Sequence, residues 1–165
     1  RIDIPTPLGK TMIHFGNVMC ILGGLLFGGP IGGLAAGIGS AFFDLLDPVF
    51  APEFMITFVM KFVLGFTAGA ISHGKGAKGE NKRLNLVAAI GAAVLYVILY
   101  MGKTFVVNYL IIGEHLGAVL SVVAIKGTVS FVNAIIAVVV SFTLATAIIP
   151  RLRTTTMFRK INEAK

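Results

Sequence analysis

Long apolar stretches separated by short polar ones occupy almost the whole chain, and their lengths carry the first inference. Leu84–Met101 (LNLVAAIGAAVLYVILYM) and Gly127–Ile149 (GTVSFVNAIIAVVVSFTLATAII) each approach or exceed the ~20 residues an α-helix needs to cross a hydrocarbon core at ~1.5 Å per residue. Phe54–Ser72 is a third such stretch, interrupted by Lys61. The region from Phe15 to Leu46 is too long for one crossing and just sufficient for two short ones. Pro30, beside Gly28 and Gly29, supplies the break, because proline lacks the N–H of a helix interior and glycine permits tight turns. The pattern predicts five spans, at about 15–28, 31–46, 54–72, 84–112 and 118–149. The last two exceed a bilayer's thickness; Gly102 is expected to break the fourth, and Gly113 with Glu114 to close its protruding end.

Composition strengthens this all-α integral-membrane reading. Of 165 residues, 56% are hydrophobic and 13% charged, and the mean hydropathy is +0.93. A water-soluble domain carries about 25% charged residues on its surface. One transmembrane domain, residues 1–165, accounts for the length. The net charge of +7 raises nucleic acid as a partner, but the basic residues gather in HGKGAKGENKR (73–83) and RLRTTTMFRK (151–160). No basic face interleaves with aromatic residues, so nucleic acid is excluded. These segments read as a cytoplasmic loop and a basic cytoplasmic tail, 150–165, under the positive-inside rule. Residues 1–14, 44–53 and 113–117 then lie outside, in a multi-pass protein of a bacterial-type plasma membrane whose C-terminus is cytoplasmic. A chain that starts outside implies a preceding transmembrane helix, and six helices in the full protein.

The same sequence excludes several chemistries. Cys20 is the one cysteine, and His14, His73 and His115 are scattered, so no metal site is expected. Gly9-Lys10-Thr11 and Gly102-Lys103-Thr104 lack the earlier glycine and the strand of a phosphate-binding loop, holding Ile4 and Val97 instead. Lys126-Gly127-Thr128 has the order reversed. The chain does not hydrolyse ATP itself, carries no catalytic set and needs no cofactor. Gly28, Gly29, Gly32, Gly33 and Gly37 recur at four-residue spacing, which lets helix backbones approach closely in lipid. They are expected to pack against a partner helix.

Ionisable residues inside spans are more telling, because lipid penalises them. Lys61 lies ~10 Å into its span from the outer end. Lys126 sits at comparable depth in the last span, and Lys103 lies in the outer part of its own. With Tyr96, Tyr100, Asn108 and Asn133 they outline an outward-open pocket for a polar small molecule. Asp44 rims the same side with Asp47 and Glu53, and His14 and Asn17 stand at the entry to the first span. The competing account has the lysines snorkelling to the interface or pairing with Asp44 and Asp47.

The order of features resembles the substrate-binding S components of energy-coupling factor (ECF) vitamin transporters. The resemblance rests on HFGNVMCILGGLLFGGPIGG, on a glycine-rich helix ending in FFDLLDP, and on VAIKGTVSFVNAII at the head of the last helix. It implies a six-helix bundle, about five helices of it present here, that captures a vitamin outside the cell. It further implies a transmembrane coupling subunit and two cytoplasmic ATPases as partners, with delivery by ATP-driven toppling and residues 1–14 as the lid. Lys126 is the residue the motif itself transfers. Riboflavin, cobalamin, pantothenate and pyridoxine all remain open. The small-residue pairs Ala88/Ala92 and Ala89/Ala93 do not occupy the family's docking position. Two other readings stand beside it: a non-binding structural subunit of a membrane complex, and a self-sufficient secondary carrier.

Overall fold

The computed structural model describes residues 2–6, 9–152 and 154–155. A β-hairpin comes first: β1 (Ile2–Thr6) pairs antiparallel with β2 (Gly9–Ile13), with Ile2 opposite Ile13 and Thr6 opposite Gly9. Five helices follow, α1 (Gly16–Phe27), α2 (Gly29–Leu45), α3 (Phe54–Ser72), α4 (Lys82–Val106) and α5 (Leu116–Leu152). The bundle is helical as the apolar pattern predicts. The hairpin departs from the expected loop, and its alternating Ile and Thr positions carry the β propensity that made it.

Of these helices, α3, α4 with its terminal turn, and α5 are long and apolar enough to cross a membrane. At 12 residues, α1 rises only ~18 Å. It stops where the helix must: Gly28 adopts φ 79° and ψ 175°, a backbone state that side chains disfavour. Pro30 then sits in the first turn of α2, where no intrahelical N–H is required. The expected helical hairpin is therefore present, with its turn at Gly28.

Gly24 of α1, Gly32 of α2, and Gly65 and Gly69 of α3 make that hairpin's crossing with α3. A Cβ on any of the four would fall under 3.0 Å from backbone of another helix or of the turn. Gly29, Gly33 and Gly37 form a second row, facing Phe66, Phe62 and Phe58 of α3. Those rings stack along their helix with centroids 6.2 and 5.6 Å apart. Gly28, Gly29, Gly32, Gly33 and Gly37 are thus engaged by this chain's own helices. The spacing that permits close approach does not say which helix approaches.

The remaining core is built on alanine. Ala88, Ala89, Ala92 and Ala93 of α4 are at most 4% exposed, and cluster with Leu64 and Ala68 of α3 and Ala137 and Ala145 of α5. Large apolar side chains point the other way: Phe42, Val59, Ile98, Phe131 and Val139 are more than half exposed. An apolar belt outside a small-residue core is the arrangement lipid favours, since tails solvate the belt and small residues let backbones close.

Gly102 does not break α4. Instead the helix runs to Val106 and continues into a π turn, Val107–Ile111. Chain reversal comes at Gly113, whose φ is +78°. Between α3 and α4 the basic loop carries four positive-φ residues, Lys75, Gly76, Lys78 and Gly79. Asn81 then caps α4 by accepting from Arg83 N (3.0 Å) and Leu84 N (3.2 Å). The tail beyond residue 155, expected to be cytoplasmic, lies outside the described residues.

Candidate functional site: a polar cavity at one end of the bundle

The ends of α1–α5 opposite the basic loop enclose a cavity of about 410 Å³. Lys61, Lys103, Lys126, Tyr96, Tyr100, Asn133, Asp44, His14 and Asn17 all line it. Residues scattered over five helices in sequence therefore converge on one volume. Asn108 does not join them: its side-chain amide donates to the Thr104 carbonyl one turn back (2.7 Å). That bond fixes it to its own helix beside the π turn.

The floor centres on Lys61. Lys61 is only 4% exposed. Its ammonium donates to Asn17 Oδ1 of α1 and to Tyr96 Oη of α4 (3.0 Å). It also lies 4.5 Å from the centre of the Tyr96 ring, within the range of a cation–π contact. Tyr100, one turn along α4, stacks on Tyr96 with centroids 6.2 Å apart and a 12° interplanar angle. Both hydrogen-bond partners of Lys61 are neutral. Its positive charge is thus oriented without being cancelled by a bonded carboxylate; Asp44 adds a longer-range attraction.

On the opposite wall, Asn133 of α5 is 9% exposed, and its Oδ1 accepts from the His14 backbone N–H at 3.0 Å. The bond pins the end of the β-hairpin to α5. His14 in turn accepts, through Nδ1, from Gly16 N (2.8 Å) and so satisfies a free amide at the start of α1. One residue thereby joins hairpin, helix start and cavity wall.

At the rim the chemistry differs. Lys103 Nζ contacts Glu53 Oε2 at 2.6 Å, and these side chains are 21% and 48% exposed. Lys103 is therefore paired, though with Glu53 and not with the Asp44 or Asp47 of the competing account, whereas Lys61 has no carboxylate partner among the described residues. Lys126 lines the cavity with no ion pair among the described residues.

Thr57, Ser130, Phe43 and Val129 also line the cavity and escaped the sequence reading. Thr57 precedes Lys61 by four residues, and Ser130 follows Lys126 by four. Same-face helical spacing from the lysines would have found both.

A second groove of about 380 Å³ opens between α1 and α2 and shares His14, Phe43 and Asp44 with the first. Its walls are otherwise mostly small or apolar, including Met19, Gly23, Ala35 and Gly39. Among the described residues, no group of His, Cys, Asp and Glu is placed to hold a metal ion.

A cavity walled by oriented amides, tyrosines and unpaired cations is suited to bind a polar, ring-bearing small molecule. Comparison with known proteins agrees in kind. The family model for the ECF-type riboflavin transporter S component matches residues 1–149. A Pyrococcus woesei protein, described as "Uncharacterized protein in gap 3'region", is 40% identical over 45 residues, covering 27% of this chain and 30% of that protein. The match thus spans under a third of that relative's length. No solved structure matches. The match from the first residue to near the end of α5 takes in every cavity-lining position, and on it the chain belongs to the family of ECF-type riboflavin transporter S components.

Proposed function

We propose that the chain binds riboflavin, or a closely related flavin-type vitamin, in the 410 Å³ cavity and delivers it as the binding subunit of an ECF transporter. The observation carrying the reading is the floor: a buried lysine held by Asn17 and Tyr96, next to a stacked tyrosine pair. The volume falls in the ~300–1,000 Å³ range of small-molecule pockets. It favours a compact ring system over a corrinoid such as cobalamin. Tyr96 and Tyr100 offer an aromatic wall, and Lys61, Lys126 and Asn133 offer donors to ring carbonyls and hydroxyls. Asp44 is the acceptor for a ring or hydroxyl proton.

The chain holds the vitamin, excludes water and orients it; energy comes from separate ATPase subunits acting through a transmembrane coupling subunit. Toppling of the whole bundle would carry the loaded cavity to the cytoplasmic side. The β-hairpin, tied to α5 by Asn133, serves as the lid. A purely structural subunit is the weaker reading, because the glycine faces that would dock partners are covered within the chain.

Purified protein titrated with riboflavin should quench flavin fluorescence with saturable, stoichiometric binding, and pantothenate and pyridoxine should not compete. Saturable binding of one of those vitamins with none for riboflavin overturns the substrate assignment. No binding across the whole panel overturns the reading itself.

A further inference from the structure

Among the described residues, the ion pair between Lys103 and Glu53 has no counterpart at the cavity floor. Glu53 ends the segment that joins α2 to α3, and that segment is closed on itself. Asp47 O accepts from Phe50 N (3.0 Å) and Ala51 N (2.8 Å), Asp47 Oδ1 accepts from Val49 N (3.0 Å), and Phe50 O accepts from Glu53 N (2.9 Å). Val49 and Phe50 from this small unit line the cavity. Lys103 reaches Glu53 from α4, fifty residues away in sequence. Exposure rises from 4% at Lys61 to 21% and 48% at the pair, which places it at the mouth.

We infer that Lys103 is a positioning residue rather than a ligand contact: by holding Glu53, it latches the Val49–Phe50 rim over the mouth and sets how fast a ligand enters and leaves. The inference rests on the cavity being a ligand pocket. Lys103 has its charge opposed at 2.6 Å, so it has little electrostatic attraction left for a ligand. A charge pair that is partly exposed is weak, on the order of a few-fold in an equilibrium. Such a latch opens readily, which suits a gate better than a structural clamp. The geometry also separates roles along the cavity: unpaired cations deep inside and on α5, a compensated one at the rim.

The test uses the full chain with Cys20→Ala and a reporter, Ser130→Cys, on the cavity wall. A charged methanethiosulfonate reagent measures access to the reporter without ligand, and riboflavin dissociation is followed by fluorescence recovery in matching variants that keep Ser130. Glu53→Gln and Lys103→Met should each raise the labelling rate and the dissociation rate about 2- to 5-fold. The charge-swapped pair Glu53→Lys with Lys103→Glu should return both rates towards the parent. Lower riboflavin affinity for Lys103→Met with unchanged ligand-free labelling would make Lys103 a ligand contact and overturn the latch. A swapped pair no better than the single variants overturns it as well. If riboflavin does not bind the parent protein, the substrate reading fails, and the labelling comparison still decides the latch.

Discussion

An ammonium group inside a lipid-spanning helix is expensive unless its hydrogens are bonded, and Lys61 meets that demand with Asn17 and Tyr96. The arrangement fixes an unusual order of mutational costs. Removing the charge with Lys61→Met leaves two neutral groups beside a polar cavity that water can reach. Removing the acceptor with Asn17→Leu leaves a buried cation short of a partner, a loss of about 1.5–3 kcal/mol. Asn17→Leu should therefore lower thermal stability in detergent more than Lys61→Met, and the double variant should recover part of the loss. Lys61→Met should nonetheless weaken riboflavin binding at least about tenfold, equivalent to ~1.4 kcal/mol. Equal stability of the two single variants would contradict the role given to Asn17. Lys61 was legible in the sequence because a charge stands out in an apolar run. Its bonded partners were not, since they lie 44 and 35 residues away and bonding across helices leaves no periodic trace. Thr57 and Ser130 were missed because an uncharged polar residue in a span signals little by itself.

Among the helices, glycine spacing and close crossing belong together, and the structure assigns the partners. Gly69→Ala should push the Gly28–Gly29 peptide of the turn away from α3 and destabilise the fold by about 1–3 kcal/mol, the usual range for overpacking. Gly39→Ala meets nothing within 4 Å and should be neutral or slightly stabilising through helix propensity. Thermal unfolding followed by size-exclusion chromatography separates the two; equal effects would remove the crossing as the explanation. The helical hairpin at Gly28 was readable because glycine and proline act through the local backbone. The β-hairpin was not, because Pro5 and Pro7 argue for loop while the pairing of Ile2 with Ile13 depends on register. Gly102 misled for the converse reason: one glycine costs a helix only about 1 kcal/mol. A 25-residue helix packed through alanines absorbs that.

At the scale of the molecule, the basic loop and the cavity lie at opposite ends of the bundle, which makes sidedness a single question. If the cavity faces outward, an impermeant thiol reagent applied to right-side-out vesicles should label Glu114→Cys and spare Lys75→Cys, each in a Cys20→Ala background. The reverse pattern would turn the protein over and place the cavity inside. The expected orientation rests on charge distribution alone, whereas convergence of the five helices on one volume required the fold. The Lys61 contacts reach beyond the finished protein to its manufacture. Along the chain Asn17 precedes Lys61 by 44 residues and Tyr96 follows it by 35. Of the two hydrogen bonds to Lys61, the one to α1 is thus the first that can form. Insertion of the third helix would then lean on the first still standing beside it.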